Sequence, residues 1–260
     1  MKYSLLLGFL LFGTWVSPIL ALDFTIAGGQ IFTPGFAILD APQPGTPLGG
    51  DTIEIALDVS ANGKLSLAPY DEDSPSQIYS ITLFLYSYET GRNFTITNGT
   101  ASADDATLGD IMASEPGSTV KHVKWNWPEC LIGDGPPDTS DSDRGAYNIS
   151  IRQNFRLNGG DHYTIFDVPI SVTNKIEFNG ANPPCDSVDN PLLAPEEIDA
   201  GSANAAVGIL FAPGDATVVE QSGGGGSAGG EGLGLGAAST LSPARSGVFP
   251  WAFFFAIAFV

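Results

Sequence analysis

The sequence predicts an all-β fold, an antiparallel β-sandwich of about seven to nine strands. Short segments in which apolar and polar residues alternate recur through the middle of the chain. The 260 residues include 32 glycines and 19 prolines, many of which fall as turns between these segments. The only credible start of a helix, at residues 195–199, is short. Many short strands joined by frequent turns are typical of a sandwich.

The first well-defined strands lie in the N-terminal half. Residues 52–59 alternate cleanly, so that four aliphatic side chains share one face. Residues 78–88 are apolar on both faces at their centre, which predicts a central strand covered on both sides. Residues 93–98 form a shorter and more polar strand.

The later strands end in a hairpin. Residues 119–127 alternate, and so do residues 146–157. The turn at residues 158–161 then reverses the chain, and residues 163–173 return as the antiparallel partner. Pro169 lies within that returning strand, and proline cannot donate a backbone hydrogen bond, so an edge position or a bulge is expected there.

A seven-residue motif refines the fold prediction. The run Asp143–Ile149 resembles the Asp-x-Gly-x-Tyr-x-Cys stretch at the E–F corner of immunoglobulin-like domains. The resemblance implies that the hydroxyl group of Tyr147 binds the backbone a few residues upstream. Ile149 stands where antibody domains carry cysteine, so their inter-sheet disulfide is excluded. With this corner as the start of strand F, the assignment is A 24–39, B 52–59, C 78–88, C′ or D 93–98, E 119–127, F 146–157 and G 163–173.

This assignment brings the two cysteines together. Cys130 follows strand E, and Cys185 follows strand G by a short segment, so both lie at the pole where strand F begins. We expect a disulfide that ties the segment after strand G to the E–F loop, worth roughly 3–4 kcal/mol. The chain is expected to leave the domain from that same pole.

The N-terminus has the features of a secretory signal peptide at residues 1–21. Lys2 precedes an apolar run from Leu5 to Leu20, and Ala21 is a small residue suited to cleavage. Export would fit the predicted disulfide and three glycosylation sequons, at Asn93, Asn98 and Asn148.

The C-terminus has the features of a signal for a glycosylphosphatidylinositol (GPI) anchor. The apolar tail from Val248 to Val260 is shorter than the roughly 20 residues that span a bilayer. Small residues around Gly236, the expected attachment site, precede a polar spacer and this tail. We therefore divide the chain into a signal peptide (1–21), an ectodomain (22–220), a Gly/Ser-rich stalk (221–236) and a removed propeptide (237–260).

The charge of the mature span restricts its partners. It holds eight basic and 29 acidic residues, a formal charge of −21. Nucleic acid and anionic lipid head groups would be repelled, whereas cations, basic proteins and neutral glycans remain possible partners.

The densest acidic loop is a candidate cation site. Asp134, Asp138 and Asp141 could supply carboxylate oxygens to calcium, although their spacing does not match an EF-hand loop. The alternative is a solvated acidic loop without bound metal. No other cofactor is indicated, because the chain has no zinc signature of the His-Glu-x-x-His type and no Gly-x-Ser-x-Gly elbow.

Candidate ligand-binding residues lie in the loops at the pole opposite the expected exit. Tyr70, Asp161 and His162 would gather there and face away from the membrane. Trp125 and Trp127 share a strand face and are expected in the core, with Trp127 the better candidate for exposure because its strand ends there.

Taken together, the signal run, sequons, Gly/Ser stalk and apolar tail resemble the GPI-anchored surface glycoproteins of filamentous fungi. This resemblance implies an extracellular protein on the outer leaflet of the plasma membrane, or transferred to the cell wall. The first interpretation is a non-enzymatic protein that binds a wall glycan or another surface protein, or maintains the wall. The alternative is a wall-modifying enzyme, which would need a pair of carboxylates that the sequence does not identify.

Overall fold

The computed structural model describes residues 24–71, 73–100, 110–137, 139, 142–194, 197, 211–215 and 218–220, without the side chains of residues 98–100, 110 and 113. The chain divides into two units, Met1–Gly224 and Gly225–Val260, and every described residue belongs to the first. The described residues form ten strands: β1 Thr25–Ala27, β2 Gln30–Phe32, β3 Ile38–Ala41, β4 Thr46–Leu48, β5 Thr52–Asp58, β6 Gln77–Ser87, β7 Arg92–Thr100, β8 Val120–Asn126, β9 Gly145–Leu157 and β10 Gly160–Val172.

The strands form two five-stranded sheets of a β-sandwich, as predicted. One sheet has the order β1-β2-β3-β5-β8 and the other β4-β10-β9-β6-β7. All pairs are antiparallel except β4 with β10. The sequence expected one strand in residues 24–39, whereas the chain forms β1, β2 and β3 within and just beyond that range and then crosses to the other sheet as β4.

In the described ranges, three short helical segments lie outside the sheets: α1 Asp110–Ala113, α2 Cys185–Val188 and a single 3₁₀ turn at Glu129–Leu131. Within the described residues, no helix is both long and apolar enough to cross a bilayer.

The core lies between the inner faces of the two sheets, because alternate residues of each strand point there. Ile53, Ile55 and Leu57 of β5 face Leu83 and Leu85 of β6 across this core, and all five are buried. The strand β6 is central in its sheet, between β7 and β9. The prediction that both of its faces are covered is wrong, because outer side chains such as those of Thr82 and Phe84 are partly exposed, although Tyr86 is buried.

The corner at the start of β9 is formed as the motif predicted. The Tyr147 hydroxyl donates to the backbone carbonyl of Asp143 at 2.5 Å and lies 3.1 Å from the Thr90 hydroxyl. The Asp143 carboxylate accepts two hydrogen bonds from Arg92, at 2.8 and 2.9 Å. Ile149 is fully buried where antibody domains carry cysteine.

The predicted disulfide is also present. Cys130 and Cys185 are bonded with a Cα–Cα distance of 6.0 Å. Hydrogen bonds join the same two segments, from the Glu129 amide to the Pro183 carbonyl and from the Asn182 side chain to the Trp127 carbonyl. We call this end of the sandwich, with residues 88–91, 127–137, 142–144 and 173–188, the corner pole.

The predicted exit of the chain from the corner pole is wrong. The last described residues lie at the opposite end, which we call the hairpin pole (residues 59–71, 73–76 and 157–160). Lys64 donates to the Asp215 carbonyl at 3.0 Å, and Asn158 bonds to the backbone of Val218 and Glu220 at 2.8 and 2.6 Å. The prediction took the short segment after β10 to end the domain, whereas the chain continues along β7 from residue 189 and packs Phe211 into the core.

Candidate functional site

The outer face of the sheet β4-β10-β9-β6-β7 carries most of the partly exposed aromatic residues. Its side chains alternate with the buried inner ones, and the residues that form the surface come from β6, β9 and β10 or directly follow β6. We call this surface the aromatic face and define it by nine residues: Tyr79, Phe84, Tyr86, Tyr88, Arg152, Arg156, Asp161, Tyr163 and Asp167.

Arg152 lies at the centre of the aromatic face. Its guanidinium carbon is 4.3 Å from the centre of the Phe84 ring, a cation–π contact that holds the group flat against the sheet. Among the described residues it has no carboxylate partner, and its Nε is buried without a hydrogen-bond acceptor. A buried donor without an acceptor destabilises the folded protein, unless another group accepts a hydrogen bond from it.

Tyr86 and Asp167 form the adjoining part of the face. The Tyr86 hydroxyl donates to Asp167 Oδ2 at 2.9 Å, while Asp167 Oδ1 is buried without a donor among the described residues. Burial and the nearby Asp167 carboxylate raise the pKa of Tyr86 well above its ordinary value, so its hydroxyl remains a donor at any physiological pH. The aromatic face therefore contains a donor and an acceptor that have no partner in the part of the chain that the structure describes.

The third cluster of the face lies next to the hairpin pole. Asp161 Oδ1 accepts from Arg156 Nε at 2.9 Å and from the Tyr79 hydroxyl at 3.0 Å. These bonds hold the pKa of Asp161 below its usual range, and the bond from Arg156 has the larger effect. The Arg156 guanidinium also lies 5.7 Å from the Tyr79 ring. Asp161 is exposed, Arg156 and Tyr79 are half-buried, and the bonds between them hold these polar groups in place at the surface.

The three predicted ligand-binding residues do not form one site. Asp161 is exposed on the aromatic face, as just described. Tyr70 is buried, and its hydroxyl donates to the Ser66 carbonyl at 2.8 Å inside the loop between β5 and β6. His162 points to the core side of β10 and stacks on Phe155 at 5.4 Å, and burial lowers its pKa.

Trp125 of β8 packs against the core and Trp127, just after this strand, belongs to it, in line with the main expectation. Trp125 is half-buried and packs 6.3 Å from the Trp127 ring. The expectation that Trp127 is the more exposed of the two is wrong, because it is completely buried. It follows β8 directly, and the disulfide-linked segment covers it there, as the bond from Asn182 to its carbonyl shows.

The predicted calcium loop is described only in part. Asp134 is exposed, whereas Asp138 and Asp141 lie outside the described residues. Among the residues that are described, no group of three or more metal-ligating side chains comes together. Asp143, which follows this loop, belongs to the corner through its bonds to Arg92.

The three sequons differ in their surroundings. Asn93 is buried, and its side-chain nitrogen donates to the Pro191 carbonyl at 3.1 Å. Asn148 lies half-buried beside the aromatic face, between Tyr86 and Pro169 on the neighbouring strands. The side chain of Asn98 lies outside the described residues, and so do the predicted signal peptide, the stalk, Gly236 and the propeptide.

A cavity of about 230 Å³ lies between β7, α1 and β8. At its rim, His122 Nδ1 is 2.9 Å from the Glu115 carboxylate. These bonds from His122 lower the pKa of Glu115, so it is ionised at neutral pH and unsuited to donate a proton. The lining residues are Ile96, Thr97, Ile111, Ser114, His122, Val123 and Lys124.

Comparisons with known proteins do not extend this description. No family model matched the chain, and neither curated proteins nor solved structures gave a significant match.

Proposed function

We propose that the protein is a GPI-anchored extracellular glycoprotein of the cell surface or wall, without enzymatic activity, that binds a glycan through its aromatic face. The observation that carries this proposal is Arg152, a stacked guanidinium group with no carboxylate partner among the described residues. Such a group is unusual in a span whose formal charge is −21, since acidic partners are abundant.

The unpartnered polar groups of the face match the chemistry of a sugar. Sugar hydroxyl groups both accept and donate hydrogen bonds, so they are suited to a guanidinium group such as that of Arg152 and a carboxylate such as that of Asp167. The exposed Tyr88 ring and the half-buried Tyr163 ring are apolar surfaces beside these groups. Aromatic rings with a few fixed polar groups provide the combination of stacking and hydrogen bonding that a pyranose ring requires.

The alternative, a wall-modifying hydrolase, finds less support. A general acid at neutral pH needs a carboxyl group whose pKa is raised by burial or by a second carboxylate. No aspartate or glutamate is buried among the described residues, and the shifted carboxyl groups, Glu115, Asp161 and Glu177, all have lowered pKa values.

A glycan on Asn148 would be compatible with this function. Asn148 lies four residues from Arg152 along β9, which is about 13 Å at the usual strand rise. A glycan there would cover the part of the sheet near the corner pole. The face from Arg152 to Arg156 and Asp161, nearer the hairpin pole, would remain open to a ligand.

The test combines release and binding. Phosphatidylinositol-specific phospholipase C should release the protein from cells, and the released protein should bind wall glycans on an array. Arg152→Gln should weaken that binding about tenfold or more, the effect of losing one charged hydrogen bond. Lys124→Gln is the matched control, because Lys124 is an exposed basic residue on the other sheet.

Equal binding by the two variants would contradict the assignment of the face. Hydrolysis of any array glycan by the released protein would contradict the non-enzymatic role. Peptides from Val248 onward in the mature product would contradict the lipid anchor.

A further inference from the structure

A segment after the disulfide covers the edge of strand β7. Residues 189–193, which we call the strap, run beside Asn93 and Phe94. The Asn190 amide donates to the Asn93 carbonyl at 2.9 Å, and the Asn93 amide donates to Asp189 Oδ1 at the same distance. The strap thereby satisfies backbone groups that an edge strand would otherwise expose.

Charged and tyrosine side chains hold the two ends of the strap. At one end, Arg92 binds Asp189 at 2.8 Å while also binding Asp143 of the corner. At the other end, the Tyr88 hydroxyl donates to the Leu193 carbonyl at 3.1 Å. The disulfide at Cys185 lies four residues before Asp189, so it fixes the strap close to β7.

The strap occupies both chemical groups that define the Asn93 sequon. The Asn93 side-chain nitrogen, the atom to which a glycan would attach, donates to the Pro191 carbonyl at 3.1 Å. The Thr95 hydroxyl accepts from the Asn190 side chain at 2.7 Å. Asn148 is different, because its side-chain amide makes no hydrogen bond with the described residues and no strap covers it.

We propose that Asn93 is a conditional N-glycosylation site, at which a glycan and the docked strap exclude each other. In the modification, C1 of the transferred oligosaccharide bonds to Asn93 Nδ2, the bond from C1 to the lipid pyrophosphate of the donor breaks, and the amide proton leaves. The product places a sugar where Pro191 lies, and Asn93 is only 7% exposed. The Cys130–Cys185 disulfide favours the docked state, so the sequon reports whether that disulfide has closed.

The experiment compares four secreted proteins: the wild type, the Cys130→Ser/Cys185→Ser variant, Asn190→Ala and the Asn93→Gln control. Peptide mapping before and after enzymatic glycan removal gives the occupancy of each sequon. Occupancy of Asn93 should rise about fivefold or more in both strap-weakening variants, the ratio that about 1 kcal/mol of lost tethering gives. Asn148 occupancy should stay constant, which controls for general changes in glycosylation.

Hydrogen exchange on the separated glycoforms completes the test. The Asn190 amide should be protected in molecules without an Asn93 glycan and should exchange rapidly in molecules that carry one. Molecules with both an Asn93 glycan and a protected strap would overturn the proposal. So would an Asn93 occupancy that is the same in the wild type and in both variants. Because Asn190→Ala leaves the disulfide intact, its result stands even if the double cysteine variant fails to fold.

Discussion

The corner hydroxyl of Tyr147 allows a quantitative test of the fold. Tyr147→Phe removes one oxygen and keeps the ring, which stacks on Phe94 at 6.4 Å. The lost hydroxyl is buried and donates to the Asp143 carbonyl at 2.5 Å. Leaving that carbonyl without its donor should cost about 2 kcal/mol of unfolding free energy. For a domain of about 200 residues, this corresponds to a decrease in Tm of about 6 °C.

Tyr163→Phe is the matched control for this measurement. Tyr163 lies on the neighbouring strand β10, is half-buried, and makes no side-chain hydrogen bond with the described residues. Removing the hydroxyl group of Tyr163 should change the unfolding free energy by less than about 0.5 kcal/mol. Urea unfolding followed by circular dichroism measures both variants at equal protein concentration. If the two variants were equally stable, the corner bond would contribute nothing, and our account of how β9 is fixed would fail.

Two further predictions concern stability. The Cys130→Ser/Cys185→Ser variant should keep its β-type circular dichroism and lose about 4 kcal/mol, because the bridge closes a loop of 55 residues; an unchanged Tm would contradict this. Since burial lowers the pKa of His162 in the folded state, the unfolded chain binds the proton first as the pH falls. The unfolding free energy should therefore decrease as the pH falls below about 6.5, and His162→Gln should make this decrease smaller. The same pH dependence in the wild type and in His162→Gln would contradict this prediction.

The sequence predicted the features that depend on local spacing. The run Asp143–Ile149 defined the corner, and the alternation in residues 52–59 and 146–157 defined which faces are buried. The pairing of Cys130 with Cys185 followed from the strand order, since β8 ends and β9 begins at the same pole. These predictions held because period-two alternation and turn positions determine strand direction without any knowledge of distant contacts.

The features that the sequence did not predict depend on non-local packing. Tyr70 lies in a segment whose sequence is typical of a loop, yet the loop between β5 and β6 folds back and buries this side chain. The strap along β7 has no alternating pattern and is held by the side chains of Arg92 and Tyr88. The aromatic face left a weak signal, namely aromatic residues at every second position from Phe84 to Tyr88, opposite the buried ones. That signal was obscured because the inner residues of β6 are apolar as well.

The position of the last described residues determines which surfaces can meet a large ligand. The corner pole is occupied by the disulfide and the bonds of Arg92, and the hairpin pole is covered in part by residues 211–215 and 218–220. On the outer face of the other sheet, charged side chains have partners, as in the pair Lys124–Glu54. The aromatic face combines partly exposed tyrosine rings with Arg152, which lies over the Phe84 ring and has no carboxylate partner among the described residues. Binding in this protein should therefore use the flat side of a sheet, and loop substitutions at either pole should affect stability more than affinity.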